Sequence, residues 1–340
     1  MIRIKLLSKV RPEEWLRYFP KGEPVWGNCR FEFSRDCRNY DWLVVYDDLP
    51  SSANGKQEET WEDLPCPRSQ TLLVTTEPSS IKSYGAAYTA QFGHVLTSQE
   101  PWALAHHNRI YSQAGLRWFY GVARNHIRSW DELVAHPPTN KIRLISAASS
   151  SKRQRHTLHH KRFSLVKYLS DRLPELDVFG HGIRSMDDKA ESLDPYFFNI
   201  AIENHIGLHH WTEKLSDAFL GMTLPFYSGA PNAVEYFPPE SFIPIDIHNP
   251  EESYRMILDT IRSDAYQHRL PYIREARDLV LNKYHLIAVA SGIIGNIGLT
   301  SGESGFRLRS RHTLRKSHPG IAMQVFGEKI RQRIMCALKT

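Results

Sequence analysis

Residues 195–246 read PYFFNIAIENHIGLHHWTEKLSDAFLGMTLPFYSGAPNAVEYFPPESFIPID. Phe197 to Ile202 is a short apolar run of aromatic and branched side chains, with Pro195 before it and the polar pair Glu203-Asn204 after it. It predicts a buried strand ending at a polar edge. Thr212 is a good N-cap type, and Leu215, Ala218, Phe219 and Met222, spaced three and four apart, give one apolar face, so a helix is expected from Thr212 to Gly221. Leu224 to Tyr227 reads as a second strand, and Ser228 to Asn232 as a turn. Strand, loop, helix, strand is the unit of an open parallel sheet, whose ligands sit beyond the carboxyl ends of the strands.

That edge carries charge. Glu203, Asn204, Glu213 and Lys214 fall at a strand end and a helix start, where unpaired backbone N–H groups and the helix dipole favour an anion, so a phosphate is a natural guest. Two plainer roles stay open: Glu213 complementing the dipole of its own helix, and Lys214 simply solvated.

Ala201-Ile202-Glu203-Asn204, then Trp211 to Phe219, then Pro225 to Pro231 closely resemble the donor-binding signature of the bacterial-type alpha-1,3/1,4-fucosyltransferases, glycosyltransferase family 10. Lys214 follows Asn204 by ten residues, as in that family; His205 stands where the family usually has Ser or Thr. The resemblance implies an α/β fold of two facing, doubly wound, Rossmann-like domains (GT-B type) with a deep interdomain cleft. The acceptor side would be the first domain, and GDP-fucose would bind the second.

Other positions take their roles from the same resemblance. Glu77 ends an apolar strand, Thr71 to Thr75, just before Pro78, which biases it away from helix. A lone Glu there is more often a turn or cap residue, but the family keeps its catalytic base in a similar strand-end turn, which makes Glu77 the candidate base. A basic cluster after the strand Ile142 to Ile145 suits a phosphate, and Arg offers a planar fork to paired phosphate oxygens. The run Lys152 to Arg155 fits a solvated loop; Arg162, just before Phe163 and the following helix, matches the family's diphosphate-contacting Arg. The donor-binding set implied is therefore Arg162, Glu203, Asn204, His210, Thr212, Glu213 and Lys214. Val178 to Ser185 contains Gly-x-Gly, but Ser185 occupies the third glycine position and no clear helix follows, so a tight turn is expected instead of a dinucleotide loop.

No metal or cofactor is expected beside the donor. His205 and His209 are four apart, yet Ile206 stands where a zinc protease needs Glu, and no Asp-x-Asp pair occurs.

The 340 residues, 41% hydrophobic and 24% charged, suit a globular chain of two domains. Forty-three basic against 37 acidic residues give +6 and a pI near 9.0, which points to an anionic partner. No RNP-like aromatic pattern, Cys/His finger or heptad-linked basic helix is present, so nucleic acid is not the expected partner. Four cysteines without a Cys-x-x-Cys pair suggest a reducing compartment, and Met1 to Leu7 reads as a strand, not a signal peptide. Leu286 to Leu299 is too short and interrupted to span a bilayer. A cytoplasmic location is expected, with peripheral attachment to the inner face of the membrane as an option.

The expected domains are 1–136 and 141–300, joined at the linker His136-Pro137-Pro138-Thr139-Asn140, followed by a flexible basic segment and an amphipathic helix in 301–340. In that helix Ile321, Val325, Phe326, Ile330, Ile334 and Leu338 form an apolar stripe beside Lys329, Arg331 and Arg333. Packing on the protein is the simpler reading, and attraction to anionic lipid the other. The expected activity is inverting, metal-independent transfer of L-fucose from GDP-fucose to a glycan hydroxyl, on N-acetylglucosamine or glucose within an oligosaccharide, which a lipid carrier could hold. The alternatives are a transferase of the same build with another nucleotide sugar, and a non-catalytic basic protein binding nucleic acid or anionic membrane.

Overall fold

The computed structural model describes residues 1–50, 59–148, 158–180 and 182–339. The basic run Lys152 to His156, residues 51–58 and His181 lie outside the described residues. The chain divides into two compact units: Met1–Ala114 with Leu286–Thr340, and Gly115–His285.

The first unit opens with β1 (Ile2–Leu7), α1 (Pro12–Leu16), β2 (Val25–Trp26), β3 (Cys29–Glu32), β4 (Trp42–Tyr46), β5 (Trp61–Asp63), β6 (Thr71–Val74), α2 (Ala86–Thr89), β7 (His94–Thr97) and β8 (Arg109–Tyr111). Seven strands form one sheet in the order β2-β3-β1-β4-β6-β7-β8, parallel except for the β2–β3 pair. All residues of β4 and β6 are buried, as parallel strands covered on both faces must be.

The second unit contains α3 (Trp130–Ala135), β9 (Arg143–Ala148), α4 (His159–Ser170), β10 (Leu176–Phe179), β11 (Tyr196–Ile202), α5 (Glu213–Leu220), β12 (Leu224–Ser228), β13 (Ile243–Pro244), α6 (Pro250–Ile261) and α7 (Ala265–Asn282). Its five strands are all parallel, in the order β10-β9-β11-β12-β13. The chain leaves β9 toward one edge for β10 and returns to its other side for β11, so the strand order reverses between β9 and β11. In open α/β sheets such a point is where ligands bind. Each unit is thus built on a mainly parallel, Rossmann-like sheet.

The chain then returns to the first unit through α8 (Leu286–Ile297), β14 (Arg307–Arg309), α9 (Arg311–Ser317) and α10 (Pro319–Lys339). Here the expectation of a flexible segment is corrected. β14 pairs antiparallel with β5, Leu308 is fully buried, and Leu308 and Leu314 belong to the first unit's core. Arg307 and Arg309 alternate with Leu308, a period-2 strand too short to stand out from its Ser/Gly/Arg surroundings.

The units part at Ala114/Gly115 and His285/Leu286, not at the expected Pro137-Pro138 linker. Residues ahead of those prolines belong to the second unit because their backbone is satisfied there: Asp217 accepts from the Phe119 and Tyr120 N–H groups at 3.1 Å, and Asp188 from Gly121 at 2.9 Å. The Trp130 indole N–H adds a bond to the Leu281 carbonyl at 3.1 Å.

His285, the last residue of the second unit, is fully buried edge-on to Trp118 at 5.7 Å. Burial pushes its imidazole down to about 3 from an ordinary 6.5. The folded unit keeps this ring neutral where the unfolded chain protonates it, so stability is full above pH ~6.5 and falls as pH drops toward ~3. Urea unfolding is expected to show the second unit losing about 3 kcal/mol between pH 7 and pH 4 from this group alone. In His285→Phe that dependence should flatten.

Candidate functional site

β11 ends at Ile202, and the next residue, Glu203, is fully buried. Its backbone N–H donates to the Ser228 carbonyl at 2.8 Å, continuing the ladder with β12 by one step. Its carboxylate reaches across to the start of α5: Oε1 accepts the Thr212 N–H and Oε2 the Thr212 hydroxyl, both at 2.7 Å. Thr212 is extended and caps α5, its hydroxyl accepting from the Lys214 N–H. The Lys214 ammonium completes the cluster at 3.0 Å from Thr212 Oγ1, 2.9 Å from Glu213 Oε1 and 3.3 Å from Glu203 Oε2. Both oxygens of Glu203 are thus engaged, and any effect it has on a ligand passes through Thr212 and Lys214.

The second cation comes from the other side of the reversal point. Arg162 on α4, buried, donates from Nη1 to Asn204 Oδ1 at 2.6 Å, joining the element after β9 to the residue pair after β11. Burial lowers its pKa, opposed by Glu203 and Glu213. Burial raises Glu203, with Lys214 opposing; for Glu213 the burial effect is outweighed by Lys214 and Lys189, which hold its carboxyl low. Burial would likewise lower Lys214, but the two carboxylates keep it firmly cationic. Glu213 and Lys214 retain partial exposure of 19% and 18% for their side chains, so these two can meet a ligand directly.

His210 is buried, its ring edge-on to that of His205 at 5.4 Å. His209 has a left-handed backbone, φ 64°, stabilised by its N–H bond to Asn232 Oδ1 at 2.8 Å and a 2.5 Å contact from its ring to the Tyr236 hydroxyl. Gly229 follows β12 where no side chain fits: a Cβ would lie 2.5 Å from Glu203 Cγ and 2.2 Å from the Tyr227 oxygen. Tyr227, Gly229, His209 and Asn232 carry no charge and sit outside the acidic and basic pattern, so charge placement alone does not reveal them. Every predicted donor-side residue lies in the second unit, and the structure gathers Arg162, Asn204, Glu203, Thr212, Glu213 and Lys214 into one bonded chain. Among the described residues no group of three or more His, Cys, Asp or Glu side chains is arranged to hold a metal ion.

Glu77 belongs to the first unit, exposed in the turn after β6. The turn is built on Asp47, at the carboxyl end of β4 with φ 77°. Asp47 Oδ1 accepts from Thr76 Oγ1 at 3.0 Å, Lys82 Nζ at 2.5 Å and the Tyr84 hydroxyl at 2.8 Å. Burial would raise its pKa, but Lys82 and these bonds outweigh it and hold the carboxyl low. The Tyr84 oxygen in turn accepts the Thr76 N–H at 2.8 Å, and Gln99 Nε2 donates to the Glu77 and Lys82 carbonyls at 2.8 Å. Backbone strain at Asp47 is thereby tied to fixing the segment that bears Glu77.

Residues 139–274 match the family model described as glycosyltransferase family 10 (fucosyltransferase) C-term. The chain is similar to the alpha-(1,3)-fucosyltransferase of Helicobacter pylori, 37% identical over 78 residues; the match covers 23% of this chain and 16% of that enzyme's length. Among solved structures it is similar to an alpha1,3-fucosyltransferase, at 16% identity and TM-score 0.47 over 84% of this chain and 91% of that one. A structure of an alpha1,3-fucosyltransferase with GDP-fucose gives 17% identity and TM-score 0.46, over 84% and 92% of the two chains. The family match spans the reversal point of the second sheet and the residues gathered there, Arg162, Glu203, Asn204, Thr212, Glu213 and Lys214.

Proposed function

We propose that this protein transfers L-fucose from GDP-fucose to a glycan hydroxyl, with inversion and without a metal ion. The observation that carries the reading is the pair of cations, Arg162 and Lys214, flanking the strand-order reversal inside the family-matched segment. A nucleoside diphosphate leaving group carries its charge on phosphate oxygens, and preorganised cations near them favour the transition state, each contact being worth roughly 10²-fold or more in rate. Arg162 and Lys214 take the role that a divalent ion has in metal-dependent transferases.

In the proposed step the acceptor oxygen forms a bond to the anomeric carbon as the bond from that carbon to the diphosphate oxygen breaks. The acceptor proton passes to the Glu77 carboxylate, and GDP leaves with the bonding electrons. Attack opposite the leaving group inverts the anomeric centre. Glu213 stands beside Lys214 as a carboxylate, suited to positive charge developing on the sugar ring. Glu203 and Asn204 position Thr212, Lys214 and Arg162; His210 walls the same pocket. The acceptor sugar is proposed to be N-acetylglucosamine or glucose in an oligosaccharide, and the site of action cytoplasmic.

The test is transfer from labelled GDP-fucose, run against GDP-mannose and UDP-galactose, with mixed glycan acceptors and a chelator present. Fucose transfer that survives the chelator is expected. Turnover with another donor alone would overturn the sugar assignment, and loss of turnover on chelation would overturn the metal-free mechanism.

A further inference from the structure

The first sheet has a reversal point of its own. From β1 the chain runs to β3 on one side and then crosses to β4 on the other, so the strand order turns between β1 and β4. A ligand belongs beyond the carboxyl ends of strands at such a point. A cavity of about 290 Å³ lies there, at the lower end of the range for small-molecule pockets. Leu7, the end of β1, lines it together with Leu49 and Pro50 after β4. Arg35, Asp36 and Arg38 come from the segment after β3, and Glu59 to Glu62 from the entry to β5.

One wall of this cavity is polar and preorganised. Glu62, whose side chain is only 6% exposed, gathers three donors on a single oxygen: Lys5 Nζ and the Tyr40 hydroxyl at 2.8 Å and Arg38 Nη1 at 3.2 Å all reach Oε1. Among the described residues Oε2 accepts no hydrogen bond, which leaves its lone pairs to a ligand. Arg38 is 65% exposed and spends a single N–H on Glu62, so its guanidinium has donors to spare. Charge narrows the ligand. Glu62 is matched by Lys5 and Arg38, Glu59 by Lys316 at 2.9 Å, and Arg35 and Asp36 carry opposite signs. No excess charge remains to hold a phosphate or a cation. What remains is a set of donors and acceptors next to the apolar groups of Leu7, Leu49 and Pro50. A sugar ring is made the same way, with hydroxyls around its rim that donate and accept and C–H faces that pack on apolar side chains.

We propose that this cavity is a subsite for a neutral sugar unit of the acceptor glycan, one or two rings away from the hydroxyl that receives fucose, with Arg38, Glu62 and Asp36 on its hydroxyls. The choice of ligand rests on the transfer reading. β6, whose following turn carries Glu77, pairs with β4, so the cavity lies one to two strand spacings, ~5–10 Å, from that turn along the sheet edge. The spacing is held on both sides. Asp47 anchors the turn two residues before Leu49 enters the cavity wall, and Gln332 Nε2 of α10 donates to the Ser79 and Lys82 carbonyls at 2.6 and 3.1 Å. A ring seated on Arg38 and Glu62 therefore sets which sugar of a chain presents its hydroxyl to Glu77.

The test is a titration of the full chain, without donor, followed by saturation-transfer NMR with two ladders of β-linked sugars, N-acetylglucosamine and glucose, from the single sugar to the tetramer. In the parent, affinity along one ladder is expected to rise about tenfold or more once a ring reaches the cavity. Arg38→Ala with Asp36→Ala should remove most of that rise. Both positions are exposed, and GDP binding by calorimetry reports whether the variant is folded. In turnover the same variant should lose its preference in kcat/KM for the tetramer over the single sugar by a similar factor, through KM. Affinity that does not grow with length on either ladder, or a variant that keeps the parent's length dependence, would overturn the subsite while fucose transfer stands. Length-dependent binding lost in the variant, in a protein that transfers no fucose, would uphold the subsite and overturn the transfer reading.

Discussion

Glu77→Gln is expected to lower turnover by about 10²- to 10⁴-fold while leaving GDP affinity within about twofold of the parent. The loss corresponds to roughly 3–5 kcal/mol of transition-state stabilisation. The amide keeps the size of the carboxylate and the side chain is exposed, so the turn held by Asp47, Tyr84 and Gln99 should survive the change. What it loses is the lone pair to which the proposed mechanism sends the acceptor's proton. Two readouts separate a base from a structural turn residue. The acidic limb of the pH–rate profile, which reports ionisation of the base, should vanish in the variant. GDP calorimetry and urea unfolding should be unmoved. Turnover within about threefold of the parent would remove Glu77 from the chemistry.

The parts of the molecule that can be read along the chain are those whose partners are close in sequence. The segment β11–α5–β12 is legible because an apolar run, a Thr N-cap, an amphipathic turn pattern and a second run lie within about thirty residues, and each is a local rule. The donor cluster is legible for the same reason: Glu203, Thr212 and Lys214 are separated by at most eleven positions. The support beneath Glu77 is different. Asp47 and Lys82 are 35 positions apart, and Gln332 and Ser79 are 253 apart, so no local pattern joins them. Nor does Gln332 look special in its own helix; only the placement of α10 makes it a clamp. The domain boundary failed on the same physics. Two prolines at 137–138 resemble a linker, while the actual division is made by residues 286–340 returning to the first unit, a non-local event. The apolar stripe of α10 was visible as a period, but which of its members face the protein was not: Ile321 and Val325 turn inward, and Met323, left out of the sequence pattern, turns outward.

Lys214→Met is expected to damage two things at once, and a second substitution should separate them. The ammonium lies within 3.3 Å of two carboxylates, of which Glu203 has no exposure. Removing one partner of such a buried group leaves charge uncompensated, and the second unit should lose about 3–5 kcal/mol toward urea unfolding at neutral pH. Glu203 can relieve part of this by taking up a proton, because burial already raises its pKa. Stability of the variant should therefore improve as pH falls, since a carboxyl whose folded pKa is raised stabilises the fold below its ordinary value and loses that contribution as pH rises through the raised one. GDP affinity and turnover should fall as well, the latter by about 10²-fold or more. The double variant Lys214→Met, Glu203→Gln removes the buried charge together with its partner. The amide can still accept the Thr212 N–H through its oxygen, so stability is expected to return most of the way to the parent. The cation proposed to face the diphosphate is still missing, and GDP affinity and turnover should stay low. Such non-additivity in stability, without it in binding, is what two distinct roles of one ammonium require. If the double variant also recovers GDP binding, Lys214 serves only to neutralise Glu203. If neither substitution alters GDP binding, the diphosphate is held elsewhere.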